Sequence, residues 1–149
     1  MVTMTIQGTY VPSTSSWVRD QVAKIEADGT TSAVSVLGRP VVMMTMFGVS
    51  GNVRKVPVMR VEHDGVYAAV ASRGGAPEHP AWYRNLLANP VIDLQDTDRT
   101  WTARAREIDG AEREQWWARC VEAFPQYAEY QEKIDRVIPV LLLEPTDPE

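Results

Sequence analysis

A mainly β, α+β fold, an antiparallel β-barrel with helices packed on its side, is predicted by three observations. Short runs rich in β-branched and apolar residues alternate with turn signals from Val41 onward. Helical stretches fall before, between and after these runs, and the links joining them are short. The 149 residues fit one domain, 1–149, with an N-terminal helix and connector over 1–37 and a barrel core over 38–145; a two-domain dinucleotide enzyme is excluded.

The elements follow in order. Ser15 or Ser16 caps a helix in which Trp17, Val18, Gln21, Val22 and Ile25 share one face, and Asp28-Gly29 stops it. That stripe can pack on the barrel, act as a lid or touch a membrane surface. Thr30 to Pro40 reads as a connector. Val41 to Phe47 and Val53 to Glu62 are strands around the turn Gly48-Val49-Ser50-Gly51-Asn52. His63-Asp64-Gly65 reverses the chain into Val66 to Ala71, giving a meander of hairpins. Ser72 to His79 is a loop, and Pro80 to Asn89 a helix closed by Pro90. Val91 to Gln95 and Thr100 to Ile108 form a further hairpin, the second strand alternating apolar Trp101, Ala103 and Ala105 with polar neighbours. Asp109 and Glu112 have the spacing of a capping box for a helix through Trp116 and Cys120. Pro125 opens a helical segment with Tyr127 and Tyr130, and Val137 to Leu143 is a nearly all-apolar last strand. Closing the sheet would remove exposed edges.

Charge and composition narrow the function. With 20 Asp+Glu against 15 Lys+Arg the chain carries a net charge of -5, which argues against binding nucleic acid. One cysteine, Cys120, permits neither an internal disulfide nor a cysteine cage for zinc, and a cytoplasmic, reducing setting fits it. Met1 to Ser16 lack a leader pattern, and no apolar run is long enough to span a membrane. His63 and His79 stand in no metal-ligand spacing, and Gly-x-Ser-x-Gly and phosphate-loop motifs are missing, so no metal is expected and redox chemistry would come from a bound cofactor.

The segment from Ala71 to Tyr83 carries most of the chemistry. Adjacent Gly74 and Gly75 allow a sharp turn and close approach to main-chain N–H groups, beside the Ser72 hydroxyl and the Arg73 guanidinium. Arg54 and Lys55, on the strand after the glycine turn, would complete a positive notch with Arg73 if both loops share a rim; otherwise they are solvated strand-end charges. Trp82 and Tyr83 serve either as a wall for a planar ring or as core. Tyr127 and Tyr130, three apart on one helix face, can pack and donate to a substrate oxygen.

Ala71-Ser72-Arg73-Gly74-Gly75-Ala76-Pro77 continuing through His79-Pro80-Ala81-Trp82-Tyr83-x-Asn85-Leu86-x-Ala88-Asn89-Pro90 resembles the signature of the deazaflavin-dependent nitroreductase family of actinobacteria. Phe124-Pro125-x-Tyr127-x-x-Tyr130-Gln131 and Arg136-x-Ile138-Pro139-Val140 resemble its C-terminal signature. The resemblance implies a split β-barrel of the FMN-binding type that binds reduced coenzyme F420, an 8-hydroxy-5-deazaflavin with a phosphate and an oligoglutamate tail. It also implies hydride transfer to electron-poor acceptors: quinones, activated enones and some nitroaromatics. Carried over by position, Arg54 and Arg73 meet the acidic tail with Lys55 in support, and Ala71, Ser72, Gly74 and Gly75 lie near ring and phosphate. Pro57, Trp82 and Tyr83 line or support the pocket; Ser72, Tyr127 and Tyr130 face the chemistry. The first turn here is one residue shorter than the family pattern and lacks its two cations, and Met59 replaces a tyrosine. A flavin-using split barrel, a non-catalytic deazaflavin carrier and a membrane-surface quinone protein are the other readings, with a monomer or weak homodimer expected.

Overall fold

The computed structural model of the chain describes residues 6–146; parts of the predicted 1–37 and leader-free segments, residues 1–5, and the end of the predicted domain, 147–149, lie outside the described residues. Helix α1 (Ser16–Asp28) begins where expected: the Ser15 hydroxyl accepts from the Val18 N–H, and Gly29 closes it in a left-handed conformation. Its stripe divides in two. Val22 and Ile25 bury against Met43, each burial contributing about 1.5–3 kcal/mol, whereas Trp17 stays 59% exposed.

The connector is more ordered than predicted. A 3-10 turn over Thr31–Ala33 leads into β1 (Ser35–Val36), which pairs with the start of β2 (Arg39–Phe47) around Leu37 and Gly38, both at positive φ. Strand β2 then pairs along its length with β3 (Val53–Met59). After β4 (Glu62–His63) and β5 (Val66–Val70) come a 3-10 turn at Arg73–Gly75, α2 (Ala81–Ala88), β6 (Val91–Asp96) and β7 (Arg99–Glu107). Helices α3 (Gly110–Ala123) and α4 (Gln126–Lys133) follow, and β8 (Val140–Pro145) ends the fold.

The strands form one antiparallel sheet ordered β1-β2-β6-β7-β8-β5-β4, with β3 hydrogen-bonded to β2. This corrects the continuous meander: β3 and β5 are not ladder partners. Arg60 and Val61 break the expected Val53 to Glu62 strand, as the Arg60 side chain turns to donate to Asp96 (2.8 Å). Asp96, buried, also accepts from the Tyr67 hydroxyl, so two donors offset the cost of burying its carboxylate. The place beside β5 is taken by β8, which pairs with β5 on one side and β7 on the other and whose Val140 to Leu143 are all buried, so both its faces are covered. The predicted closure is likewise incomplete: the edges of β3 and β5 approach without a ladder, and the barrel is split there. The edge position suits Pro57, which has no N–H to donate.

Two local expectations fail for identifiable reasons. Asp109 makes no side-chain cap, because Glu112 pairs instead with Arg106, which also holds Glu144. The last strand begins at Val140 rather than Val137: the Ile138 N–H donates to Gln131 Oε1 and the Pro139 carbonyl accepts from Ala71.

Alkali should unfold this core. Burial, aided by the Asp96 carboxylate, pushes the Tyr67 phenol from 10.0 up to about 12. Burial with Glu107 does the same to Tyr83, and burial pushes the Cys120 thiol from 9.0 to about 12. A proton held more tightly in the folded state contributes stability that is complete below the unfolded value and lost as pH climbs through the folded one. Melting temperature is expected to be level from about pH 7 to 9 and to fall between about pH 9 and 12. Cys120 should resist a thiol reagent at neutral pH until the chain unfolds. Rapid labelling of native protein would contradict this assignment.

Candidate active site

A cavity of about 1000 Å³ opens at the split of the barrel, and residues from both faces of β3 line it. The ladder with β2 sorts them. Val41, Met43 and Thr45 stand opposite Met59, Pro57 and Lys55, so these residues share the face on which α1 packs. Arg54, Val56 and Val58 point the other way, toward the cluster containing Met46, Trp82 and Leu86. The aromatic and apolar part of the lining, the aromatic wall, comes from Trp17 and Val18 of α1, Met59, Phe124, Tyr127 and Tyr130. The cationic and polar part, the polar wall, comes from Arg54, Arg73, Arg84, His79 and Asn85 beside Trp82, and the two parts meet where Tyr130 covers Gly75.

Most of the predicted site residues meet here. Arg54, Lys55, Pro57, Ser72, Arg73, Gly74, Trp82, Tyr127 and Tyr130 all line the cavity. Arg54 makes no hydrogen bond or ion pair among the described residues, and its stem lies against Gly48, where an added Cβ would sit 3.3 Å from Arg54 Cγ. The Ser72 hydroxyl is also without a partner there, although the residue is 8% exposed. Tyr127 is buried, with ring contacts to Trp117, Phe124 and Tyr130; burial holds its phenol proton far above the ordinary tyrosine range, which keeps it a neutral donor.

Several predicted roles change. Lys55 forms an ion pair with Glu26 of α1 and lies over the Tyr10 ring, so it is not a free cation standing in for the short turn. Arg73 is exposed and pairs with Glu78 at 3.2 Å. Ala71, Gly75 and Tyr83 do not line the cavity. Ala71 is buried behind the loop, its carbonyl held by Arg136 at 3.1 Å. Gly75 lies under Tyr130: a Cβ there would meet its ring at 3.1 Å, and the Gly75 N–H is already spent on the Ser72 carbonyl. Tyr83 stacks on His79 and donates to Glu107 at 2.6 Å, buttressing the loop from outside.

Arg136, given no role from the sequence, organises the loop. Its guanidinium donates to the carbonyls of Ala71, Ser72 and Ala76 and approaches His79 Nδ1 at 2.9 Å. Its place in the C-terminal signature was the available signal; its partners, 57 to 65 residues away, were not readable. Gln21 on the apolar wall and His79 and Arg84 on the polar one were likewise not foreseen as lining residues. Among the described residues no acidic, histidine or cysteine group could hold a metal, and no helix is long and apolar enough to cross a membrane.

Residues 17–145 match the family model described as F420H(2)-dependent quinone reductase. A Mycobacterium tuberculosis protein named for that activity is 33% identical over 96 residues, 64% of this chain and 81% of that one. The solved structure of an F420-H2 dependent reductase is 55% identical, covering 74% of this chain and 99% of its own, with a TM-score of 0.68. A structure described as a domain-swapped dimer is 53% identical over 89% of this chain and all of that one, with a TM-score of 0.70. The residues around the cavity suit the cofactor: an unpaired arginine for an acidic tail, a free hydroxyl on the loop, and flat apolar surface with room for a tricyclic ring. The chain belongs to the F420H(2)-dependent quinone reductase family, and its cofactor is coenzyme F420.

Proposed function

We propose that the chain reduces flat, electron-poor acceptors, quinones first and activated enones next, with the cofactor on the polar wall and the acceptor against the aromatic one. The observation that carries this is a single cavity lined both by the unpaired Arg54 and the Ser72 hydroxyl and by the aromatic surface of Phe124, Tyr127 and Tyr130. When bound, the reduced deazaflavin supplies a hydride. Arg54 would hold the anionic tail, and the Ser72 hydroxyl would be a donor to the ring system. Trp17 and Tyr130 line the same cavity and would limit water beside the bound ring. As the acceptor gains a hydride, charge grows on its conjugated oxygen; the Tyr127 and Tyr130 hydroxyls are the donors that stabilise it, and one proton from solvent completes the hydroquinone. A reducing cytoplasm fits the free Cys120 thiol, and the dimeric neighbour supports a homodimer.

Anaerobic loss of reduced-deazaflavin absorbance with a panel of quinones, enones and nitroaromatics tests the reading, with nicotinamide and flavin donors as controls. Turnover with a flavin donor but not with reduced F420 would reject it, and binding without oxidation would leave a carrier. The pairing pattern sharpens the test. Arg54→Ala should weaken F420 binding about tenfold, as an unscreened contact to an anion is lost, whereas Arg73→Ala, removing an exposed pair, should change it less than about threefold. Equal losses would reject the division of labour.

A further inference from the structure

Gln21 sits in the second turn of α1, is 8% exposed and lines the cavity, and its Oε1 is buried without a hydrogen-bond partner among the described residues. Trp101, Arg113 and Gln126 also carry an unpartnered buried atom, yet none of them lines the cavity. The helix turns on either side place apolar Val18, Val22 and Ile25 against the barrel, where an aliphatic side chain would pack without leaving a polar group unmet. The protein leaves this amide oxygen without a partner, and a turn about the last side-chain torsion would present it to the cavity that Gln21 lines.

Resting on the reading above, we propose that Gln21 is a binding residue for the acceptor: its amide N–H donates to a carbonyl oxygen of a bound quinone, and its Oε1 accepts from the hydroxyl that replaces that carbonyl. The wall assignment points to the acceptor rather than the cofactor. Helix α1 packs on the Met43 face of the β2–β3 hairpin, with Glu26 reaching Lys55 on that face. Val41 and Met59 of the same face share a cluster with Phe124 and Tyr127, whereas Arg54 points to the opposite face. A primary amide matches both redox states of a quinone because it carries a donor and an acceptor on one flat group, and a turn about its last torsion exchanges them.

The test is Gln21→Met, which keeps length and apolar volume and removes the amide. Three quantities are read: affinity for a short-chain naphthoquinone and for its hydroquinone, followed by quenching of the intrinsic tryptophan fluorescence, to which Trp17 and Trp82 of the cavity lining contribute; affinity for F420; and the melting temperature without ligand. We expect quinone and hydroquinone binding weakened about fivefold to tenfold with a parallel rise in quinone KM, F420 binding within about twofold, and a melting temperature equal to or above wild type. Unchanged quinone binding, an equal loss of F420 affinity, a lower ligand-free melting temperature, or no quinone binding by the wild-type chain would each overturn it. A wild-type chain that binds quinone without oxidising reduced F420 would instead defeat the proposed function, leaving the binding arm to judge Gln21 separately.

Discussion

Arg136→Ala is expected to lower kcat/KM about 50-fold to 100-fold and the melting temperature by about 5–8 °C. One guanidinium serves the Ser72 carbonyl at 2.9 Å, the Ala71 and Ala76 carbonyls at 3.1 Å, and His79 Nδ1 at 2.9 Å. Alanine would leave three carbonyls and a ring nitrogen to partly buried water. Hydrogen bonds to a charged donor contribute about 1.5–3 kcal/mol each when buried, but these are part-buried and not additive, so about 2 kcal/mol is the expected loss. Burial draws the Arg136 pKa downward, with the nearby Arg73 adding to it against the pull of Glu78. The larger effect is on geometry: Ser72 and Gly74 both line the cavity, and a loop misplaced by about 1 Å costs on the order of 100-fold in rate. Because an ammonium is a point donor that cannot fork across three carbonyls, Arg136→Lys should recover less than half of the lost free energy. Steady-state kinetics with F420 binding would separate the two contributions, and an alanine variant within threefold of wild type would show that the loop holds its shape unaided.

The comparison of Arg136 with Arg54 shows what was legible in the chain itself. Arg54 could be placed because its neighbours in the hairpin are its neighbours in sequence, and the register with β2 follows from one turn. Helix α1 and its cap were readable for the same local reason. Arg136 acts on residues far back along the chain, so nothing within a window around it announces the clamp. The same distinction explains the strand order. Val140 to Leu143 read as nearly all apolar, which does mark a strand covered on both sides; that it would insert between β5 and β7, and so keep β3 from pairing with β5, depends on long-range competition for one edge. Charges misled in a related way. Lys55 and Arg73 look available in sequence, but Glu26 and Glu78 neutralise them, and only the folded arrangement of α1 against β3 makes the first of those pairs visible.

Gly74→Ala and Gly75→Ala should have very different consequences although both residues adopt left-handed backbone, at φ +62 and +85. A side chain in that region costs about 1–2 kcal/mol in either case, so both variants should melt a few degrees lower. At Gly74 an added methyl meets nothing within 4 Å. At Gly75 it would lie 3.1 Å from Tyr130 Cδ1 and 3.3 Å from Cβ and Cγ of the same residue. The near end of an aromatic side chain cannot yield by rotating its tip, so Tyr130, in the middle of α4, must give by a few tenths of an ångström together with its backbone. Tyr130 lines the aromatic wall in contact with Phe124 and Tyr127, and moving it disturbs the surface assigned to the acceptor. Gly75→Ala is therefore expected to lower kcat for a quinone about 30-fold or more with F420 affinity within about threefold, whereas Gly74→Ala should keep kcat within about threefold. Subtracting one variant from the other cancels the shared backbone strain and leaves the displacement of Tyr130. If the two variants lost turnover equally, strain in the loop would be the cause and Tyr130 would have no special claim on the reaction; if only Gly75→Ala did, the second glycine of the pair exists to admit the tyrosine rather than to approach the cofactor.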